Sequence, residues 1–79
     1  MRLRVVYYAA LREQRGLSEE SVETSAATPA ALYDELRARH QLRLAPELLR
    51  AAVNDAFAAW ETPLCAGDTV VFIPPVAGG

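Results

Sequence analysis

Thr69-Val70-Val71-Phe72-Ile73 does most to limit what this chain can fold into. Three β-branched residues precede Phe72 and one follows it, a composition that fits a pleated sheet surface. Pro74-Pro75 stops the strand, because proline has no N–H for a sheet ladder. A strand needs partners, and the first candidate is the N-terminus. Residues 2 to 8 alternate, with Leu3, Val5 and Tyr7 on one side and Arg2, Arg4, Val6 and Tyr8 on the other. Ala9 to Gln14 reads as a short helical turn broken by Gly16, and residues 21 to 25 as a weaker, polar strand pairing with the first.

Thr28-Pro29 marks the start of the main helix. Thr28 can cap free backbone N–H groups, and Pro29 suits the first helical position. Leu32 and Leu36, with Tyr33 beside them, give an apolar stripe, and the helix is expected over about residues 29 to 40. Pro46 opens a second turn through Glu47 and Leu48. Residues 49 to 53 read as a strand, Asn54-Asp55 as a turn and residues 56 to 59 as a returning strand. Strands on both sides of one long helix predict an α+β domain, with that helix packed across a mixed sheet of about five strands. This is the β-grasp, or ubiquitin-like, arrangement. It is expected over residues 1–75, with residues 76–79 as a flexible tail. Leu3, Val5, Leu32, Leu36, Val53, Val70 and Phe72 are the expected core.

Several functions are disfavoured. The 79 residues suffice for one domain. The net charge is −2 and the arginines are scattered, which argues against a nucleic-acid partner. There is no lysine, so Schiff-base and phosphate-loop lysine chemistry are excluded. One Cys and one His make neither a disulfide framework nor a four-ligand metal site. No cofactor motif is present: the chain lacks a glycine-rich phosphate loop and a nucleophile–His–acid set. No apolar run approaches the roughly 20 residues of a membrane span, and the start is too short for a signal peptide. A cytoplasmic location is the default expectation. Cys65 reads as a small packed or semi-exposed side chain, His40 as a cation at a helix C-terminus, and Glu19-Glu20 as solvated surface.

The tail is the strongest functional signal. Pro74-Pro75 favours an extended path away from the sheet. Gly78 and Gly79 have no side chains, so the end could thread a narrow channel and place its carboxyl inside another protein. A free carboxylate is a poor electrophile and needs activation, which a separate ATP-using partner would supply. The strand alternation adds a second signal. If Val5, Val70 and Phe72 face the core, Val6, Tyr8, Val71 and Ile73 face outward as an apolar area beside the tail, and such a patch marks a partner surface.

These residues resemble the small-subunit, sulfur-carrier family of molybdopterin synthase. The resemblance covers nearly the whole chain. It rests on Tyr7-Tyr8-Ala9-Ala10-Leu11-Arg12-Glu13 with Gly16, Thr28-Pro29, Ala52-Val53-Asn54, Pro63-Leu64 and Gly67-Asp68. The ending Val71-Phe72-Ile73-Pro74-Pro75-Val76-Ala77-Gly78-Gly79 weighs most. Ala77 stands where the family often has Thr.

The resemblance implies a carrier that is not an enzyme on its own. A separate ATP-dependent activating enzyme adenylates Gly79, and a sulfur donor enzyme makes its thiocarboxylate. The large synthase subunit, in a heterotetramer of two small and two large chains, then takes the tail and passes the sulfur to a cyclic pterin precursor. By position, Tyr8, Phe57 and Ile73 face the partner; with Val71 and the path Pro74, Pro75, Val76 and Ala77 they form the expected contact set. A thiamin-pathway sulfur carrier, a ubiquitin-like protein modifier and a plain interaction domain are the alternatives.

Overall fold

The computed structural model describes residues 1–75. Its strands are β1 (Arg2–Tyr7), β2 (Glu19–Glu23), β3 (Arg50–Val53), β4 (Ala56–Ala58) and β5 (Thr69–Ile73); its helices are α1 (Ala9–Arg15) and α2 (Pro29–His40). A single 3-10 turn covers Pro46–Leu48. The five strands form one sheet in the order β2-β1-β5-β3-β4. β1 and β5 run parallel at its centre, and the other neighbours are antiparallel. This is the mixed-sheet β-grasp anticipated from the strand–helix order.

Alternation along the central strands decides which face is buried. Leu3, Val5 and Tyr7 of β1 and Val70 and Phe72 of β5 are fully buried under α2, which contributes Leu32, Tyr33 and Leu36. Tyr33, Trp60 and Phe72 pack together, with Phe72 5.1 Å from Tyr33 and stacked 6.0 Å from Trp60 between ring centroids. Thr28 caps α2 by accepting from the Ala31 N–H at 3.2 Å, with Pro29 in the first turn as expected. Gly16, in the left-handed conformation at φ 85°, closes α1 with its N–H donating to the Arg12 carbonyl.

The details depart from expectation in four places. β2 begins at Glu19, because its register on β1 runs from Arg2↔Glu23 to Val6↔Glu19. It ends at Glu23, the partner of Arg2 where β1 begins, and beyond it Thr24 Oγ1 accepts from the Ala26 N–H and donates to Glu35. Val53 is only half-buried, since it sits at the hairpin end of β3 where the core thins. Glu20 is not solvated surface. It pairs opposite Val5 on the core side of the sheet, where it meets Tyr7, Arg15 and His40. His40 does end α2, but burial and the neighbouring Arg15 lower its pKa against the pull of Glu20. Arg37 and Arg39 stand with it as basic residues of the last turn.

Candidate functional site: the outer sheet face and the exit of β5

The strand register lines up Val6, Val71, Ala52 and Phe57 in one row across β1, β5, β3 and β4. The adjoining row, Tyr7, Phe72, Ala51 and Ala58, has the opposite parity and faces α2. One step further along β5, Ile73 pairs with Arg50. Tyr8, the residue preceding α1, stands beside this end of the sheet.

The outer face is divided. Near the start of β1 it carries Arg4 opposite Ser21 and Thr69, and Arg4 forms an ion pair with Glu19. Near the end of β1 and β5 it becomes apolar. Tyr8 is 51% exposed and Phe57 65%, both high for aromatic rings, while Val6, Val71 and Ile73 are half-covered. A shallow recess of about 210 Å³ lies among Tyr8, Ala52, Asp55, Phe57, Val71 and Ile73. The Arg50 guanidinium carbon lies 4.3 Å from the centroid of the Phe57 ring, an exposed cation–π contact worth about 0.5–1 kcal/mol.

The β3–β4 hairpin sets the position of Phe57. Asn54 and Asp55 have φ of 50° and 70°, the pair of positive values a two-residue type I′ turn requires. Asn54 is tied to the loop before β5. Its amide Nδ2 donates to Asp68 at 2.9 Å, and its Oδ1 accepts from the Thr69 N–H at 3.0 Å. The Cys65 N–H and the Asn54 amide lower the pKa of the Asp68 carboxyl, which therefore stays an acceptor. Cys65 itself is exposed.

The expected contact residues Tyr8, Phe57, Val71 and Ile73 share this surface. Pro74 continues the inward parity of Phe72 and is buried, and Pro75 is exposed. Val76, Ala77, Gly78 and Gly79 lie outside the described residues. Sequence reasoning did not name Ala52, Asp55 or Arg50 as site residues. Parity along β3 already puts Arg50 and Ala52 on one face, and the Asn54-Asp55 turn sets Ala52 opposite Phe57. Among the described residues, no cluster of His, Cys, Asp and Glu is arranged to hold a metal ion, and no helix is long and apolar enough to cross a membrane.

Known proteins share this architecture. The ThiS family model matches residues 5–79. The molybdopterin synthase sulfur carrier subunit of Escherichia coli is 36% identical, covering 98% of this chain and 99% of the relative. The crystal structure of SAMP1 from Haloferax volcanii superposes with a TM-score of 0.81 at 24% identity, covering 100% of both chains. A chain in the Helicobacter pylori complex of subunits 1 and 2 of molybdopterin-converting factor has the same fold, with a TM-score of 0.69 at 24% identity and 100% coverage of both chains.

Proposed function

The chain belongs to the ThiS family, and from that premise we propose that it is the sulfur carrier subunit of a molybdopterin synthase. The observation that carries this reading is the apolar half of the outer sheet face. It occupies the end from which β5 leads into Pro74-Pro75 and residues 76–79. A partner that covers Tyr8, Phe57, Val71 and Ile73 therefore stands where the tail leaves the sheet.

The chemistry belongs to Gly79. Its carboxylate attacks the α-phosphorus of ATP on a separate activating enzyme, giving an acyl adenylate and releasing pyrophosphate. Hydrosulfide supplied by a donor enzyme attacks the acyl carbon, the C–O bond to AMP breaks, and loss of the S–H proton leaves a thiocarboxylate, so sulfur replaces one carboxyl oxygen. The large synthase subunit takes the tail, and two sulfurs, one from each of two thiocarboxylates, pass to a cyclic pterin precursor to build the dithiolene, water supplying the oxygen that returns each Gly79 to a carboxylate. Gly78 has no side chain to obstruct the approach to the carbonyl, and Pro74, Pro75, Val76 and Ala77 are the proposed contacts of the segment before it. The chain contributes position and a docking surface, and its partners contribute catalysis. The whole assembly is cytoplasmic.

Reconstitution with an activating enzyme, a sulfide source, the large subunit and the pterin precursor tests this. Intact mass should rise by the exchange of one oxygen for sulfur, localised to Gly79, and molybdopterin should form. Deleting Gly79 should abolish transfer, while Cys65→Ser leaves it intact. Full activity in the deletion, or loss in Cys65→Ser with the fold preserved, would overturn the mechanism. Sulfur delivered only to a thiazole precursor would instead establish the thiamin-pathway alternative.

A further inference from the structure

A second recess lies on the opposite side of the sheet. It is a groove of about 690 Å³ between the first turns of α2, the Pro46–Leu48 turn and the loop carrying Trp60 and Glu61. Tyr33, Pro46 and Trp60 form its floor, buried or half-buried. Asp34, Glu47 and Glu61 stand exposed around it, and no arginine or histidine lines it.

These carboxylates differ from most others in the chain. Glu19, Glu20, Glu23 and Glu35 are paired with arginines, and Asp68 is held by Asn54 and the Cys65 N–H. Among the described residues, Asp34, Glu47 and Glu61 have no hydrogen-bonded or ionic partner on their side chains. The N-terminus of α2 does not offset them with free donors. The Ala31 N–H is taken by Thr28 Oγ1 and the Ala30 N–H by the Trp60 carbonyl. An apolar floor under a single-sign rim fits a ligand with both an aliphatic stem and a positive head, which is the build of arginine and lysine.

We propose that this groove docks a cationic peptide segment of a partner protein, its arginine or lysine stems over Trp60 and Pro46 and its charged heads among Asp34, Glu47 and Glu61. A cation near an aromatic face adds to the pairing with carboxylates. Trp60 stacks on Phe72, whose neighbours Val71 and Ile73 point to the other side of the sheet. The groove and the outer face are therefore occupied independently. A protein held at the groove leaves the outer apolar face free for another partner. The inference does not depend on the sulfur-carrier reading.

The test is titration of the full-length ¹⁵N-labelled protein with a tetra-arginine peptide at low salt, followed by amide and Trp60 indole shifts. Saturable shifts confined to Ala30, Ala31, Asp34, Glu47 and Trp60 are expected. The triple variant Asp34→Asn, Glu47→Gln, Glu61→Gln should bind about tenfold more weakly, since exposed charge pairs contribute modestly and together. Glu13→Gln should change nothing. Shifts of equal size at Glu13 and Asp55, or none at all, would overturn the proposal. Equal binding of a neutral apolar tetrapeptide would mean a simple apolar site. Groove shifts that grow with protein concentration in the absence of peptide would assign the groove to a second copy of the chain; either result overturns it too.

Discussion

Glu20 accepts from the Tyr7 hydroxyl at 2.6 Å and from Arg15 at 2.9 and 2.8 Å, and His40 Nε2 stands 3.9 Å from it. One half-buried carboxylate thus joins β1, α1, β2 and the end of α2. Hydrogen bonding from Arg15 lowers its pKa, opposed by burial and helped by Tyr7. Burial and then Glu20 raise the Tyr7 pKa, so the phenol remains a donor. The network makes acid destabilising in two stages. His40 has a folded pKa below its ordinary 6.5, through burial, Arg15 and Arg39. Between those values the unfolded chain holds more protons, so stability falls as pH drops through 6.5. Glu20 has a folded pKa below 4.5, so its contribution is present above that value and is lost as pH falls through the folded one. Urea unfolding should therefore show a falling midpoint from about pH 7.5 to 5.5. In His40→Gln that first decline should flatten; an unchanged decline would remove His40 as its cause. Glu20→Gln should cost about 2 kcal/mol at neutral pH, because Arg15 keeps its charge without its partner.

At the scale of elements, the β3–β4 hairpin shows how a local sequence rule reaches the site. Asn54 meets its positive φ with a residue that tolerates it, and Asp55 does so less well than glycine would. Asp55→Gly should raise stability by about 0.5–1 kcal/mol, read as a higher urea midpoint. Asn54→Ala should lower it by about 2 kcal/mol, since the side chain's bonds to Asp68 and Thr69 go and the left-handed backbone stays. Loss of stability in Asp55→Gly would contradict the turn type. The hairpin was legible in the sequence, as were β1, α2 and β5, because their apolar spacing and turn residues act locally. The position of β2 was not. Its charged residues carry no strong alternation, and its limits come from pairing with β1. Glu20 was missed for a related reason. Its parity with Val22 places it on the core side, but the partners that make burial tolerable come from three other elements. Phe57 entered the candidate site through family resemblance. The chain's own pattern does not show that Ala52 brings it into line with Val71.

Across the whole molecule, one residue of parity separates the buried face of the sheet from its exposed apolar face, the proposed docking surface. Phe72 is fully buried and Phe57 is 65% exposed, so the same substitution should act on different properties. Phe72→Ala removes a core ring packed on Tyr33 and Trp60, and should cost about 3–5 kcal/mol of stability. Phe57→Ala loses surface contacts, the cation–π contact with Arg50 among them, and should change stability by about 1 kcal/mol or less. Under the proposed function, its effect belongs at the interface with the large synthase subunit. There an aromatic anchor typically contributes about 2 kcal/mol, so affinity should fall roughly thirtyfold. Deleting Gly79 should give the reverse signature: docking retained through the apolar face and sulfur transfer abolished. Calorimetric titration against the large subunit, run beside urea unfolding and the transfer assay, reads all three properties. Unchanged affinity in a folded Phe57→Ala protein would remove the outer face as the docking surface. Loss of affinity in the Gly79 deletion comparable to that in Phe57→Ala would mean that the tail dominates docking and that the sheet parity does not divide the two roles.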